Sequence, residues 1–186
     1  MFDFELNFII SDHEKFSNAA KATGAEIIKR YKSTDIYYKP KDHNFKKYTA
    51  LRIRNNQNIK IPSKIILSDV EIIYHSKISF TKSIHNKGKI LLFEGEFKLC
   101  ASILKKLGFK KYFVVKKDNG ESWISKRNNI AVGCEYIHGI GYIGEIEYTG
   151  KTEKQFIKYI NNCIKLLQID KKDIIVKQDI LATLSE

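Results

Sequence analysis

The stretch Phe2-Asp-Phe-Glu-Leu-Asn-Phe8 alternates strictly, with Asp3, Glu5 and Asn7 on one parity and Phe2, Phe4, Leu6 and Phe8 on the other. A period of two belongs to a β-strand with one polar and one apolar face. Taken alone, an acidic pair on such a strand is an ordinary solvated face. The pattern returns late in the chain, where Glu145 and Glu147 share a face against Ile146 and Tyr148. Between these two strands, Arg52 and Arg54 also share a parity, and Lys82 and Lys117 sit inside otherwise apolar runs.

Outward from the first strand, strand-like runs rich in β-branched and aromatic residues fall at 36–40, 48–54, 64–67, 70–74, 78–82, 89–93, 112–117, 122–126, 130–136 and 142–148. Three amphipathic helices are predicted among them, over 12–23, 94–107 and 152–167. Ser11-Asp-His-Glu14 and Thr152-Glu-Lys-Gln155 have the form of capping boxes, and Gly24 and Gly108 supply stop signals. The helices need an apolar surface to cover, and the phenylalanine-rich strand faces offer one. With helices outside a curved sheet, the charged strand faces turn into a concave interior or a barrel lumen.

The 186 residues suit one domain spanning 1–186, since no repeat, linker or low-complexity segment divides them. No apolar run approaches the roughly 20 residues of a membrane helix, and the N-terminus lacks a secretory signal pattern. A cytoplasmic protein with no membrane partner is expected. Cys100, Cys134 and Cys163 are odd in number and widely spaced, which reads as reduced apolar filler. His13, His43, His75, His85 and His138 have no metal-ligand spacing. The net charge of +12 favours anionic partners: nucleic acid, anionic lipid or a polyphosphate.

Carboxylates and cations have distinct tasks in such a lumen. Magnesium takes oxygen ligands, usually one or two carboxylates plus phosphates and water, and Asp3, Glu5, Glu145 and Glu147 offer these. Arginine grips phosphate through paired donors and lysine as a point charge. On the strand 130–136, Ala131, Gly133 and Glu135 share a face with space beside the carboxylate, so Glu135 is open to reading as a base, a metal ligand or an orienting group.

In order along the chain, these residues resemble the CYTH superfamily, which joins class IV adenylyl cyclases, thiamine triphosphatases and inorganic triphosphatases. Asp3-Phe-Glu5-Leu-Asn7 stands where the family has E-x-E-x-K. Asp35-Ile-Tyr37 is similar to a D-x-Y strand of the cyclase branch, and Leu51-Arg-Ile-Arg54 to L-R-x-R. Leu107-Gly-Phe109 with Val115-Lys-Lys117 resembles L-G-F and V-x-K-x-R, and the stretch from Glu135 to Glu147 resembles D-x-x-x-G-L-G-x-F-x-E-I-E. The chain departs at Asp3, at Asn7 and Asn119 in place of cations, and at Glu135; Lys116, Lys126 and Arg127 are the nearby cations that could compensate.

The resemblance implies an α+β fold: an antiparallel eight-stranded β-barrel, the triphosphate tunnel, with helices packed outside. It implies Mg2+ or Mn2+ on Asp3, Glu5, Glu145 and Glu147, phosphates on Arg52, Arg54, Lys82 and Lys117, and catalytic roles for Glu135, Lys117 and Arg52. The expected activity is that of a class IV adenylyl cyclase, ATP to cyclic AMP and pyrophosphate. Alternatives are a thiamine or inorganic triphosphatase, and a non-catalytic binder of polyphosphate or nucleic acid. The expected partner is a nucleoside triphosphate or another triphosphate; nucleic acid is disfavoured because the clearest signals are carboxylate pairs, and a homodimer stays open.

Overall fold

The computed structural model describes residues 2–40, 49–57, 61–73, 84–150 and 152–175; the side chains of 2–4, 49–50, 68–73, 84–89, 150 and 153 lie outside that description. Eight strands are described: β1 Phe2–Ile10, β2 Glu26–Pro40, β3 Thr49–Asn56, β4 Ser63–Ile73, β5 Ile84–Gly95, β6 Phe109–Ser125, β7 Ile130–Ile137 and β8 Gly141–Gly150. Three helices join them: α1 His13–Ala22, α2 Phe97–Lys106 and α3 Glu153–Leu166.

The strands form a closed antiparallel barrel in the order β1-β5-β4-β3-β2-β6-β7-β8. β8 pairs with β1 over its full length, from Phe2 opposite Gly150 to Ile10 opposite Tyr142. The other edge of β1 is shared. β5 meets it at Phe4 and Glu5, and farther along the C-terminal segment takes over, with Ile174 bridging to Phe8 and the Ile175 amide donating to the Asn7 carbonyl at 2.9 Å.

β2 and β6 are longer than the expected strands 36–40, 112–117 and 122–126. They pair from Glu26 opposite Ile124 to Pro40 opposite Phe109, through register shifts between Ile27 and Lys29, Tyr31 and Ser33, and Tyr37 and Tyr38. Bulges of this kind bend a strand and increase its twist, as a barrel requires. β6 absorbs Asp118-Asn119-Gly120 in another shift, with Asn119 at φ 48°, so a turn-like composition becomes a kink within one strand. Likewise 64–67 and 70–73 are one strand, β4, while 78–82 lies outside the described residues.

Alternation sorts the strand residues into two environments. Leu6, Phe8 and Ile10 pack with Trp123, Val132, Cys134 and Ile146 beneath Phe16 and Ala20 of α1 and Phe156, Ile160 and Cys163 of α3. Leu51, Ile53 and Ile65 pack beneath Cys100 and Leu104 of α2. All three helices therefore cover the outside of the barrel, and the opposite parity faces its interior. Phe8, 1% exposed, lies over Gly144, where an added Cβ would stand 2.1 Å from the ring. The fit of that ring against β8 requires glycine.

The helix ends follow local chemistry. α3 begins at Thr152, whose hydroxyl accepts from the Gln155 amide at 3.3 Å. α1 is capped by Asp12 rather than Ser11: the Asp12 carboxylate accepts from the Lys15 amide at 2.9 Å, a charged acceptor at the positive end of the helix. Gly24 and Gly108, with φ of 74° and 83°, follow the C-caps Thr23 and Leu107.

Candidate functional site: a charged barrel lumen

The register of β1 with β8 sets Glu5 opposite Glu147 and Asn7 opposite Glu145. Glu5, Glu145 and Glu147 each present a carboxylate oxygen, all within 4.8 Å of one another, and Glu5 is 3% exposed. Like charges directly opposite in a sheet repel each other, and a hard divalent cation among these oxygens would offset that repulsion. Magnesium holds oxygens at about 2.0–2.1 Å in an octahedron, so opposite ligands stand about 4.2 Å apart, and the three glutamates nearly match that span. The donor set fits such an ion. Asp3 lies two residues before Glu5 and pairs with Thr149; its side chain is outside the description.

Across the lumen, β2, β3 and β6 converge on Asp35, which is fully buried. Its register partner Arg54 donates to it twice, Nε to Oδ1 at 2.8 Å and Nη2 to Oδ2 at 2.7 Å. Arg52 Nε stands 3.6 Å and Lys117 Nζ 3.7 Å from Asp35 Oδ2. Burial by itself would push the Asp35 carboxyl up; the Arg54 hydrogen bonds and charge, with Lys117 and Arg52, outweigh it and hold Asp35 well below the usual carboxylate range. Arg52 Nε is buried and makes no hydrogen bond among the described residues, while Nη1 donates to the Tyr37 hydroxyl at 3.4 Å.

Glu135 extends the cluster onto β7. One of its oxygens pairs with Lys117 Nζ and the other accepts from the Tyr31 hydroxyl at 3.1 Å. Burial, followed by the charges of Glu135 and Glu145, raises the Tyr31 hydroxyl far above its ordinary range, so it remains a donor. The Tyr31 ring occupies the space beside Gly120, where a Cβ would meet it at 2.4 Å. Beneath the charges, Tyr37, Val115, Ile137 and Ile143 form an apolar floor, with Val115 directly opposite Asp35 and Ile143 opposite Glu135. Water is thus kept from one side of the ion pairs, which strengthens them.

Glu5, Glu145 and Glu147 thus come together as one group, and Arg52, Arg54, Lys117 and Glu135 as another. Lys82 lies outside the described residues. Asn7 stands where the resemblance has a lysine, and its amide donates to Glu5 Oε1 at 2.9 Å, steadying a carboxylate instead of supplying a charge. Asn119 sits at the β6 bulge and reaches the Tyr142 hydroxyl at 3.4 Å. Lys116, Lys126 and Arg127 are exposed and add nothing to the lumen cluster. Sequence reasoning missed Tyr31 and Lys64. Lys64 is the register partner of Arg54, has its parity, and pairs with Glu94 at 3.3 Å; antiparallel pairing of the R-x-R strand with the next strand was the available signal.

Comparison with known proteins agrees with this architecture. A conserved hypothetical protein of Pyrococcus furiosus superposes with a TM-score of 0.77 at 18% identity, covering 98% of this chain and 99% of that one. A candidate adenylate cyclase of Vibrio parahaemolyticus gives 0.74 at 14% identity, over 100% and 99%. A candidate adenylyl cyclase of Hippeastrum, described as having a dominant triphosphatase activity, gives 0.70 at 11% identity, over 100% and 95%. No curated protein matches the chain. The CYTH domain family matches residues 1–177, and the chain belongs to that family.

Proposed function

We propose that the barrel is a metal-dependent enzyme acting on a triphosphate, and that its reaction is that of a class IV adenylyl cyclase. The observation that carries the reading is the pairing, in one lumen, of a three-carboxylate cluster with a three-cation cluster. Among the described residues Arg52, Arg54 and Lys117 face Glu5, Asp35, Glu135, Glu145 and Glu147, an excess of acid. A polyphosphate entering alone would be repelled by the acids; one entering with Mg2+ or Mn2+ would satisfy both clusters. The bound ion would offset phosphate charge and serve as a template.

In this reading Glu5, Glu145 and Glu147, with Asp3 on the strand of Glu5, would hold the metal. Arg52 and Arg54 offer paired donors to phosphate oxygens, and Lys117 and Lys82 offer point charges. Glu135, with oxygens occupied by Lys117 and Tyr31, orients Lys117. The ribose 3′ hydroxyl would attack the α-phosphorus, the bond to the bridging oxygen would break, and pyrophosphate would leave carrying the hydroxyl proton, its charge met by Arg52, Arg54 and Lys117. The apolar floor excludes water from beneath the phosphates, which limits hydrolysis. A cytoplasmic setting suits three cysteines that are free and buried.

The Hippeastrum neighbour favours a second reading, triphosphate hydrolysis on the same residues, with water attacking a terminal phosphorus. Purified protein incubated with ATP, thiamine triphosphate and tripolyphosphate, each with Mg2+ or Mn2+, separates the two. Cyclic AMP with pyrophosphate is the expected product set. Orthophosphate from the terminal position replaces the cyclase reading with the hydrolase. No turnover of any substrate overturns both.

A further inference from the structure

Asp35 belongs neither to the metal cluster nor to the groups that would touch phosphate, yet among the described residues it is the most enclosed charge in the lumen. Its two oxygens face three cations from two neighbouring strands, Arg54 at 2.7 and 2.8 Å, Arg52 at 3.6 Å and Lys117 at 3.7 Å. Val115 backs it, and Tyr37 two residues on shares its face and bonds Arg52. We propose that Asp35 is a positioning residue that occupies the place of a substrate anion among Arg52, Arg54 and Lys117, fixing the two guanidinium groups and setting how tightly the site holds a polyphosphate. The inference rests on the triphosphate reading of the same lumen.

The geometry favours this over a role confined to stapling β2 to β3. A staple needs one partner, and Arg54 already satisfies both oxygens in the bidentate form. Arg52 and Lys117 instead stand at 3.6 and 3.7 Å, beyond hydrogen-bond range but well inside the range of charge. Arg52 Nε, buried and without a hydrogen bond among the described residues, has a donor ready for an acceptor that arrives later. Asp35 thus holds these cations in place without exhausting them. A fixed negative charge so near the phosphates also weakens their binding, which allows a charged product to leave.

The test is binding of tripolyphosphate at saturating Mg2+, measured by calorimetry, for the native protein, Asp35→Asn and Asp35→Glu, with kcat and KM for ATP taken in parallel. Asparagine keeps an oxygen for Arg54 Nε and removes the charge. Asp35→Asn is expected to bind tripolyphosphate at least about tenfold more tightly, the effect of one like-charge repulsion across several ångström at an effective dielectric near 20. Its kcat and KM should fall together, because a charged product leaves slowly.

Its melting temperature should be lower than native without ligand and rise more on adding tripolyphosphate, since the ligand then supplies the missing counter-charge. Unchanged or weaker binding by a folded Asp35→Asn overturns the inference, as does an equal ligand-induced rise. Should Asp35→Asn fold only with tripolyphosphate present, that supports it. Should it fold under neither condition, Asp35→Glu decides: affinity within about twofold of native with reduced kcat supports charge-setting, and lost affinity overturns it. A native protein that does not bind tripolyphosphate overturns the triphosphate reading itself, an outcome visible before any variant is made.

Discussion

Replacing Glu5 by glutamine removes one charge from a cluster of three while nearly preserving shape. With oxygens up to 4.8 Å apart, each pair of carboxylates repels by about 1 kcal/mol at the dielectric of water and about 3 kcal/mol at an effective value of 20. Glu5 enters two of the three pairs; it is 3% exposed while Glu147 is solvent-exposed, so the net relief lies between the two limits, about 2–7 kcal/mol. The carbonyl oxygen of the introduced glutamine can still accept from the Asn7 amide, so that hydrogen bond survives. For a chain of this size the relief corresponds to a melting temperature raised by about 4–28 °C in EDTA. Added Mn2+ or Mg2+ should stabilise the native protein by linkage and the variant far less, so the order of stability reverses at saturating metal. Scanning fluorimetry with and without metal reads both halves. A metal-free Glu5→Gln that melts at or below native, or that gains as much from Mn2+ as native does, refutes the assignment of this cluster to a cation.

Two further outcomes follow from packing and burial. Gly144→Ala should destabilise by about 3 kcal/mol or more, because its Cβ would stand 2.1 Å from the buried Phe8 ring; denaturant unfolding checks it, and Phe8→Leu in the same chain should recover part of the loss. Burial pushes the Cys134 thiol up to about 12 and the Cys163 thiol up to about 11, so each favours folding fully below its unfolded value, and that contribution is lost as pH climbs from about 9 through 11–12. Stability measured from pH 8 upward should therefore fall, and Cys134→Ala should flatten the fall; a steeper alkaline loss in the variant would refute this.

Much of the barrel was legible because alternation survives in β1, β8 and β3. Phe2 to Phe8, Glu145 to Tyr148 and Leu51 to Arg54 keep strict parity, and the parity is what divides helix-facing from lumen-facing residues. The first ten residues of β2 were not legible. Register shifts after Ile27 and Tyr31 break the period there, leaving Ile28 61% exposed in a run that reads as irregular, so Tyr31 went unseen with them. Lys64 was lost for a different reason: a strand's own pattern says which residues share a face, but only pairing with Arg54 says what that face meets. Asp35 was visible as part of a motif, while its meaning depended on Arg54, Arg52 and Lys117 arriving from two other strands.

The overall charge of +12 misdirects in an instructive way. It suggests a site made of cations, yet among the described residues the lumen cluster holds more carboxylates than cations, and Lys64 there is matched by Glu94. Most of the described lysines are exposed, where water and salt screen them. A basic exterior can draw a polyphosphate toward the barrel, while the carboxylate excess among the described lumen residues would favour its entry together with compensating cations. Asn7 fits the same logic, since it gives up a fixed positive charge and steadies Glu5 by a hydrogen bond. In the proposed reading, this charge would tie triphosphate binding to a divalent ion through ordinary electrostatics, whichever atom attacks. Raising salt should weaken the first encounter, whereas removing metal should abolish the bound state, and the two effects are separable by comparing association rates with equilibrium affinity.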